Sequence, residues 1–319
     1  MSMFRVMFPY NCFTAIPDDI EELAEARAFD GLTGSAADGA GWGSIVGETR
    51  VIQADGRTLL KYREASRKAN AVAVRQLVEE RVLAAVEAGR EVTEQLQVEL
   101  TAQAESEVIR FAPIKEWSAY ILVCPAENLL LVSGSSAPKC EDALSMLRYT
   151  LESLSATPWG FGGDIEANTL TNHLASQIKP NPYPLPASLT ISPFGKTSAV
   201  GSDTSLKLIF DGVSTDQPES KILLKGMTVR QVEMSLVERP DDGQFKNLAN
   251  FILHLPRGGN LHFKSYDYEN DAEAGDEDEE DAQHTYAVEM LLVSQYTEQI
   301  LKNLAEFFGV AFGDGQKEL

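Results

Sequence analysis

The chain has 319 residues, 44% of them hydrophobic, which is enough for one large domain or two to three modest ones. No run of about 18 apolar residues occurs, and Met1-Ser2-Met3-Phe4-Arg5 lacks the regions of a signal peptide, so a cytoplasmic protein without a membrane span is expected. With 48 acidic residues against 27 basic ones the net charge is −21, which repels a polyanion at long range and makes the placement of charge more informative than its sum.

In chain order, Phe4 to Tyr10 reads as a strand, and Pro17 to Phe29 as an amphipathic helix with Asp18, Asp19, Glu21 and Glu22 at its positive end. A Gly-rich loop follows. Arg50 to Ala54 and Arg57 to Arg63 flank Asp55-Gly56, a preferred pair for a two-residue hairpin turn. The segments Val72 to Ala88 and Val92 to Val108, separated by Gly89-Arg90, carry apolar residues such as Val74, Leu77, Val78, Val82, Leu83 and Val86 at helical spacing and predict a helical hairpin. Trp117 to Cys124 and Asn128 to Ser133 predict a second β-hairpin, and Lys139 to Leu154 a helix with Leu144, Leu147, Leu151 and Leu154 on one face. Ser155 to Gly163 and the four-proline stretch Lys179 to Pro186 resist regular structure, with a short helix between them around Leu170 to Ile178.

Strands dominate the second half: Ala187 to Ile191, Ser205 to Phe210, Thr228 to Val237, Asn250 to Leu255 and Asn260 to Ser265. Tyr286 to Phe308 predicts a final helix ended by Gly309. The pattern is α+β, with strands and helices interspersed but not in the regular alternation of a doubly wound sheet. It divides into an N-terminal α+β region (1–154) that includes a helical tip (72–115), a Pro/Gly-rich connection with a short helix (155–186), and a C-terminal β-rich region (187–319).

Two stretches stand out by charge. Between Asp267 and Asp281 there are ten acids and no base, a block expected to be a solvated loop, and it carries ten of the twenty-one excess negative charges. Between Arg50 and Val78 seven bases, Arg50, Arg57, Lys61, Arg63, Arg67, Lys68 and Arg75, face only Asp55 and Glu64. That stretch alone has a sustained positive balance, and these seven side chains are the candidates for phosphate contact.

Catalytic and metal signals are sparse. Cys12, Cys124 and Cys140 have no metal-ligand spacing and read as reduced thiols; His173, His254, His262 and His284 have neither metal nor triad spacing, although His254 and His262 could meet across a hairpin. Gly39 to Gly47 lacks a P-loop lysine. Asp203 or Asp211 followed by Glu219-Ser220-Lys221 resembles the acid and Glu-x-Lys pattern of metal-dependent nucleases.

Ordered blocks along the chain carry a family resemblance. Gly41-Trp42, Val74-Arg75 with Glu80-Arg81-Val82, and Gly89-Arg90 followed by Glu99-Leu100 come in order. Glu141-Asp142, Leu144, Leu147-Arg148, Leu151 and Ser153-Leu154 form the most specific block, and Leu170-Thr171 and the Gly226 to Leu236 strand follow. In these blocks the chain resembles the RdgC family of recombination-associated proteins. The resemblance implies an RdgC-like horseshoe monomer with mixed antiparallel sheets and helices, closing into a ring-shaped dimer around double-stranded DNA. It implies a non-enzymatic, nucleoid-associated protein that needs no cofactor and limits access of the RecA recombinase to DNA, binding largely without regard to sequence. Phe111 lies near the family's tip aromatic, which adds it to the candidate DNA contacts, although Arg110-Phe111-Ala112-Pro113 does not reproduce that motif. The chain departs from the family in having His173 in place of a Trp, and in lacking its basic residues between Arg90 and Glu99 and from Gly212 to Asp216. An acidic interaction protein or DNA mimic, binding a recombination protein in place of DNA, and a metal-dependent nuclease are the alternatives.

Overall fold

The computed structural model describes residues 3–202, 206–239, 245–268 and 279–309, with the backbone alone for the first two residues of the last stretch. Asp203 and most of the acidic block, residues 269–278, lie outside the described residues.

The first half runs β1 (Val6–Cys12), α1 (Ile20–Glu25), β2 (Asp38–Trp42), β3 (Val51–Ala54), β4 (Arg57–Ser66), α2 (Ala71–Glu87), α3 (Glu94–Val108), β5 (Lys115–Cys124), β6 (Leu129–Ser133) and α4 (Ala137–Leu151). It continues with β7 (Ala156–Pro158), α5 (Asp164–Ala175), β8 (Leu189–Ile191), β9 (Thr197–Gly201), β10 (Lys207–Phe210), α6 (Pro218–Leu224), β11 (Met227–Glu238), β12 (Lys246–His254), β13 (His262–Tyr268) and α7 (Glu279–Phe308). The thirteen strands among the described residues join one sheet, ordered β10-β9-β11-β12-β13-β1-β6-β5-β4-β2, with β3, β7 and β8 pairing off this path. Strand β1 is central. It pairs antiparallel with β6 on one side, and on the other with β13 through Val6↔Lys264 and Met7↔Phe263 and with β7 farther along.

Apolar residues pack on both faces of the sheet. On one face α1 and α4 cover β1, β4, β5 and β6 through Ile20, Ala24, Leu144 and Leu147 against Phe8, Leu60, Tyr62 and Ile121. On the other, α7 lays Met290, Val293, Ile300, Leu301, Leu304 and Phe308 over Met7, Leu59, Phe251 and Phe263. Their three- and four-residue spacing keeps these side chains on one stripe of the helix, and Gly309 at φ 69° ends it as expected. Trp42 is fully buried and donates its indole N–H to Thr150 Oγ1 at 2.9 Å, tying β2 to α4.

The hairpin turn is where Asp55-Gly56 places it, with φ of 49° and 71° at the two residues and β3 registered on β4 from Val51↔Leu60 to Ala54↔Arg57. The helical hairpin forms as α2 and α3, the first capped by Asn70 and the second by Thr93. Other expectations are corrected. The Gly-rich stretch expected as a loop contains β2, and its glycines serve close approach: a Cβ on Gly41 would lie 2.4 Å from Arg27 O and one on Gly39 2.6 Å from the Phe29 ring. Helix α1 covers only part of Pro17 to Phe29, and α5 begins at Asp164, ahead of the expected Leu170. Ala156–Pro158, in a stretch expected to resist regular structure, adds to the sheet as β7, and β9 and α6 had no signal at all.

Candidate nucleic-acid interface

Along β4 the residues alternate between the two faces of the sheet. Leu60 and Tyr62 enter the core beneath α4, so Lys61 and Arg63 project from the opposite face. There they line a groove of about 590 Å3 with Ser44, Glu116, Trp117 and Ser118. The Lys61 ammonium donates to Ser44 O at 3.1 Å and sits 5.7 Å from the Tyr120 ring centre. Burial and the neighbouring Arg63 charge push its pKa down, so an arriving anion would favour its charged form. Arg63 pairs with Glu116 at 2.9 Å and donates to Asp30 O.

Past the end of β4 the basic run continues. Arg67 donates to the Ala36, Gly34 and Arg110 carbonyls, which fastens it to the base of the α2/α3 hairpin. Lys68 and Arg75 are exposed. Phe111, next to Arg110, is 86% exposed, the most of any large apolar side chain among the described residues. Sequence reasoning missed two neighbours of this run. Arg110 is brought in by its carbonyl's bond to Arg67, and Lys115 by the register Ser66↔Lys115. The return of the helical hairpin toward the basic strand was the available signal.

The first two bases of the stretch are taken up by carboxylates. Arg50, with a side chain 10% exposed, is held by Glu25 at 2.8 Å, Asp30 at 3.0 Å and Trp42 O at 3.1 Å. The bond to Asp30, aided by Glu25, raises its pKa. Arg57 pairs with Asp55 and Glu127. Both guanidiniums are neutralised within the fold.

His254 and His262 do meet across the β12/β13 hairpin, with Nδ1 of the first 2.8 Å from Nε2 of the second. His262 Nδ1 lies 2.9 Å from Asn260 O, which only accepts, so that nitrogen carries the proton and Nε2 accepts from His254 Nδ1–H. The proton-free nitrogen of the neutral pair is therefore His254 Nε2. Burial, His262, Lys264 and Lys207 push the His254 pKa from 6.5 to about 4. A folded-state value below the unfolded one means that the unfolded chain binds the extra proton first, so this site's stabilisation is present above about pH 6.5 and is lost as pH falls toward 4. We expect a lower urea midpoint at about pH 5 than at pH 7, with a loss on the order of 1–2 kcal/mol after allowing for solvent screening. His254→Gln should flatten that part of the profile, and an unchanged slope in the variant would refute the assignment.

The Glu-x-Lys element stands on α6, where residues two apart diverge by more than half a turn, so Glu219 and Lys221 do not converge as they would on a strand. Lys221 turns to Asp216 at 3.8 Å. Among the described residues no cluster of three His, Cys, Asp or Glu side chains is placed to hold a metal ion, and no helix is long and apolar enough to cross a membrane. The three cysteines are buried. Burial and nearby carboxylates push Cys124 and Cys140 up to about 12, and burial raises Cys12 as well.

Among protein families, residues 1–241 match the model described as "Putative exonuclease, RdgC". Three curated proteins with the name Recombination-associated protein RdgC are similar. One from Shewanella loihica is 30% identical over 140 residues, 43% of this chain and 46% of its own length. One from Tolumonas auensis is 25% identical over 173 residues, 53% of this chain and 57% of its own. One from Colwellia psychrerythraea is 24% identical over 214 residues, 65% of this chain and 68% of its own. In the first two of these matches the chain spans about half the length of the relative.

Proposed function

The chain belongs to the RdgC family, whose curated relatives are recombination-associated, and from that premise we propose that it binds double-stranded DNA as a ring-shaped dimer. A horseshoe-like monomer closing with a second copy would encircle the duplex without reading its sequence and without cutting it. By occupying the duplex it would limit access of a RecA-type recombinase, which makes it a nucleoid-associated protein. The observation that carries this reading is the run Lys61, Arg63, Arg67 and Lys68, which descends β4 to the base of an exposed helical hairpin ending near Phe111. Two cations at strand spacing, Lys61 and Arg63, with Arg67 and Lys68 just past the strand, suit a phosphate backbone, and an exposed aromatic suits either base stacking or a partner copy.

Val72, Leu83, Val86 and Val98 are all more than half exposed on α2 and α3, and a second copy is the occupant a dimer would supply. Light scattering should return about twice the 34.9 kDa chain mass. A monomer at micromolar concentration, unchanged by added duplex, would sink the ring. Duplex titrations at low and moderate salt test the ligand, since phosphate contacts weaken by about 0.9 logarithmic units per contact for each tenfold rise in salt.

A second reading is an acidic interaction protein with the same fold, and two observations favour it: the net charge of −21 and the neutralisation of Arg50 and Arg57 by internal carboxylates. Absence of duplex binding at low salt, with retained binding to a recombinase, would select it. Magnesium-dependent cleavage that needs Glu219 would select the nuclease.

A further inference from the structure

At the β9–β13 end of the sheet, the face opposite α7 carries a row of mostly polar side chains far from the basic run on β4. The registers Ser198↔Ile209, Gln231↔Ser198, Gln231↔His254 and His254↔His262 set five side chains side by side across β10, β9, β11, β12 and β13. Alternation places them opposite the buried Ala199, Val232, Leu253 and Phe263, which pack under the helices. Lys207 lies two residues from Ile209, and Lys264 two from His262, so both share this face. A groove of about 550 Å3 opens over it, lined among others by Ser198, Lys207, Gln231, His254 and Arg257.

We propose that this groove is an anion site that holds a phosphate group at His254 Nε2, beside the ammonium group of Lys207. Three observations support it. First, the hydrogen-bond chain from Asn260 O through His262 to His254 leaves His254 Nε2 as the ring nitrogen of the pair that has no proton and, among the described residues, no partner. A proton taken up there makes it a donor, while Nδ1–H keeps its bond to His262 as a charge-assisted one. Second, neither Lys207 nor Lys264 has an ion-pair partner among the described residues, although the chain is strongly acidic. Third, Lys207 and His254 line the same groove, and Lys264 and Lys207 both push the His254 pKa in the same downward direction as its burial.

The other charged groups facing the pair alter this little. Arg230 on β11 is paired with Asp164 on α5 at 2.6 Å, Glu233 on β11 accepts from the Lys196 backbone N–H, and Arg257 in the β12/β13 turn adds a further cation. Burial, His262 and then the two lysines hold the His254 ring neutral near pH 7. A phosphate oxygen there compensates their charge, so binding takes up a proton and is tighter at low pH.

The site does not depend on the ring or on the β4 run, and its test separates them. The His254 ring is titrated by NMR in the full chain alone, with inorganic phosphate, with sulfate, and with a short DNA duplex; sulfate keeps its charge throughout and so isolates the protein's proton. An upward move of the His254 pKa with either free anion supports the site, and a move with the duplex alone supports it with the DNA backbone as the source. If the bound value returns to the ordinary 6.5, affinity rises about tenfold from about pH 7.5 to pH 5.5. Lys207→Gln, an exposed change that spares the histidines, should weaken binding several-fold, and His254→Gln should remove the pH dependence. No movement of His254 with any of the three ligands overturns the proposal. Duplex binding that depends on Arg63, Arg67 and Lys68 but is indifferent to Lys207 and His254 at every pH would overturn it while leaving the DNA-binding reading standing.

Discussion

Replacing Arg63, Arg67 and Lys68 together by Gln is expected to lower the salt slope of duplex binding by up to about 3 and to weaken binding most at low salt. Each cation that neutralises a phosphate releases a counterion, so three contacts should make the wild type about 40-fold more sensitive than the variant to a fourfold rise in salt. None of the three is a core residue: Lys68 is exposed, Arg63 is partly exposed beside Glu116, and Arg67 bonds only to backbone carbonyls. A matched change of Arg50 is the control, since that guanidinium is 10% exposed and already held by Glu25 and Asp30. Arg50→Gln should cost stability and leave the salt slope unaltered. Equal slopes for the wild type and the triple variant, measured by fluorescence anisotropy at several salt concentrations, would show that the β4 run does not touch the phosphates.

Trp42→Ala should be among the most destabilising single changes, costing about 3–5 kcal/mol. The indole is wholly buried between α4 and the β4/β5 part of the sheet, and its N–H bonds to a Thr150 hydroxyl that itself donates to Met146 O at 2.9 Å. Removing the ring leaves a large cavity and an unused acceptor in an apolar layer. Trp42→Phe keeps most of the volume and loses mainly the hydrogen bond, so it should cost about 1–3 kcal/mol. Urea unfolding would rank the two, and near-equal midpoints for the wild type and the alanine variant would contradict the packing described.

The strongly patterned elements were legible because their signals are local. Asp55-Gly56 needs only its own backbone preference to turn a hairpin, and the leucines of α4 and the apolar stripe of α7 declare a buried face by spacing alone. Strand β9 was not legible: Thr197 to Gly201 has little apolar side chain, and its burial comes from β10 and β11 on either side. The functional run was half legible for a related reason. A local excess of bases located it, but three of the four carboxylates that pair with Arg50 and Arg57 stand 25, 20 and 70 residues away in the chain, so charge counting could not subtract them. The His254–His262 pair could be foreseen as a meeting across a hairpin, whereas the lysines around it gather only through the order of five strands.

The central place of β1 also bears on how the chain is made. A ribosome delivers Val6–Cys12 first, yet one of its partners, β13, comes more than 240 residues later, and α7 later still. At about 5–20 residues per second, that flank of β1 waits on the order of tens of seconds for its partner. Until then the nascent sheet has β6 and the short β7 as partners and presents an unpaired, apolar edge around Met7, which invites pairing with another nascent chain. Pairings this distant in sequence also close slowly after dilution from denaturant. Refolding in vitro should therefore lose yield steeply with concentration, and translation slowed ahead of β13 should lengthen the chain's dependence on chaperones.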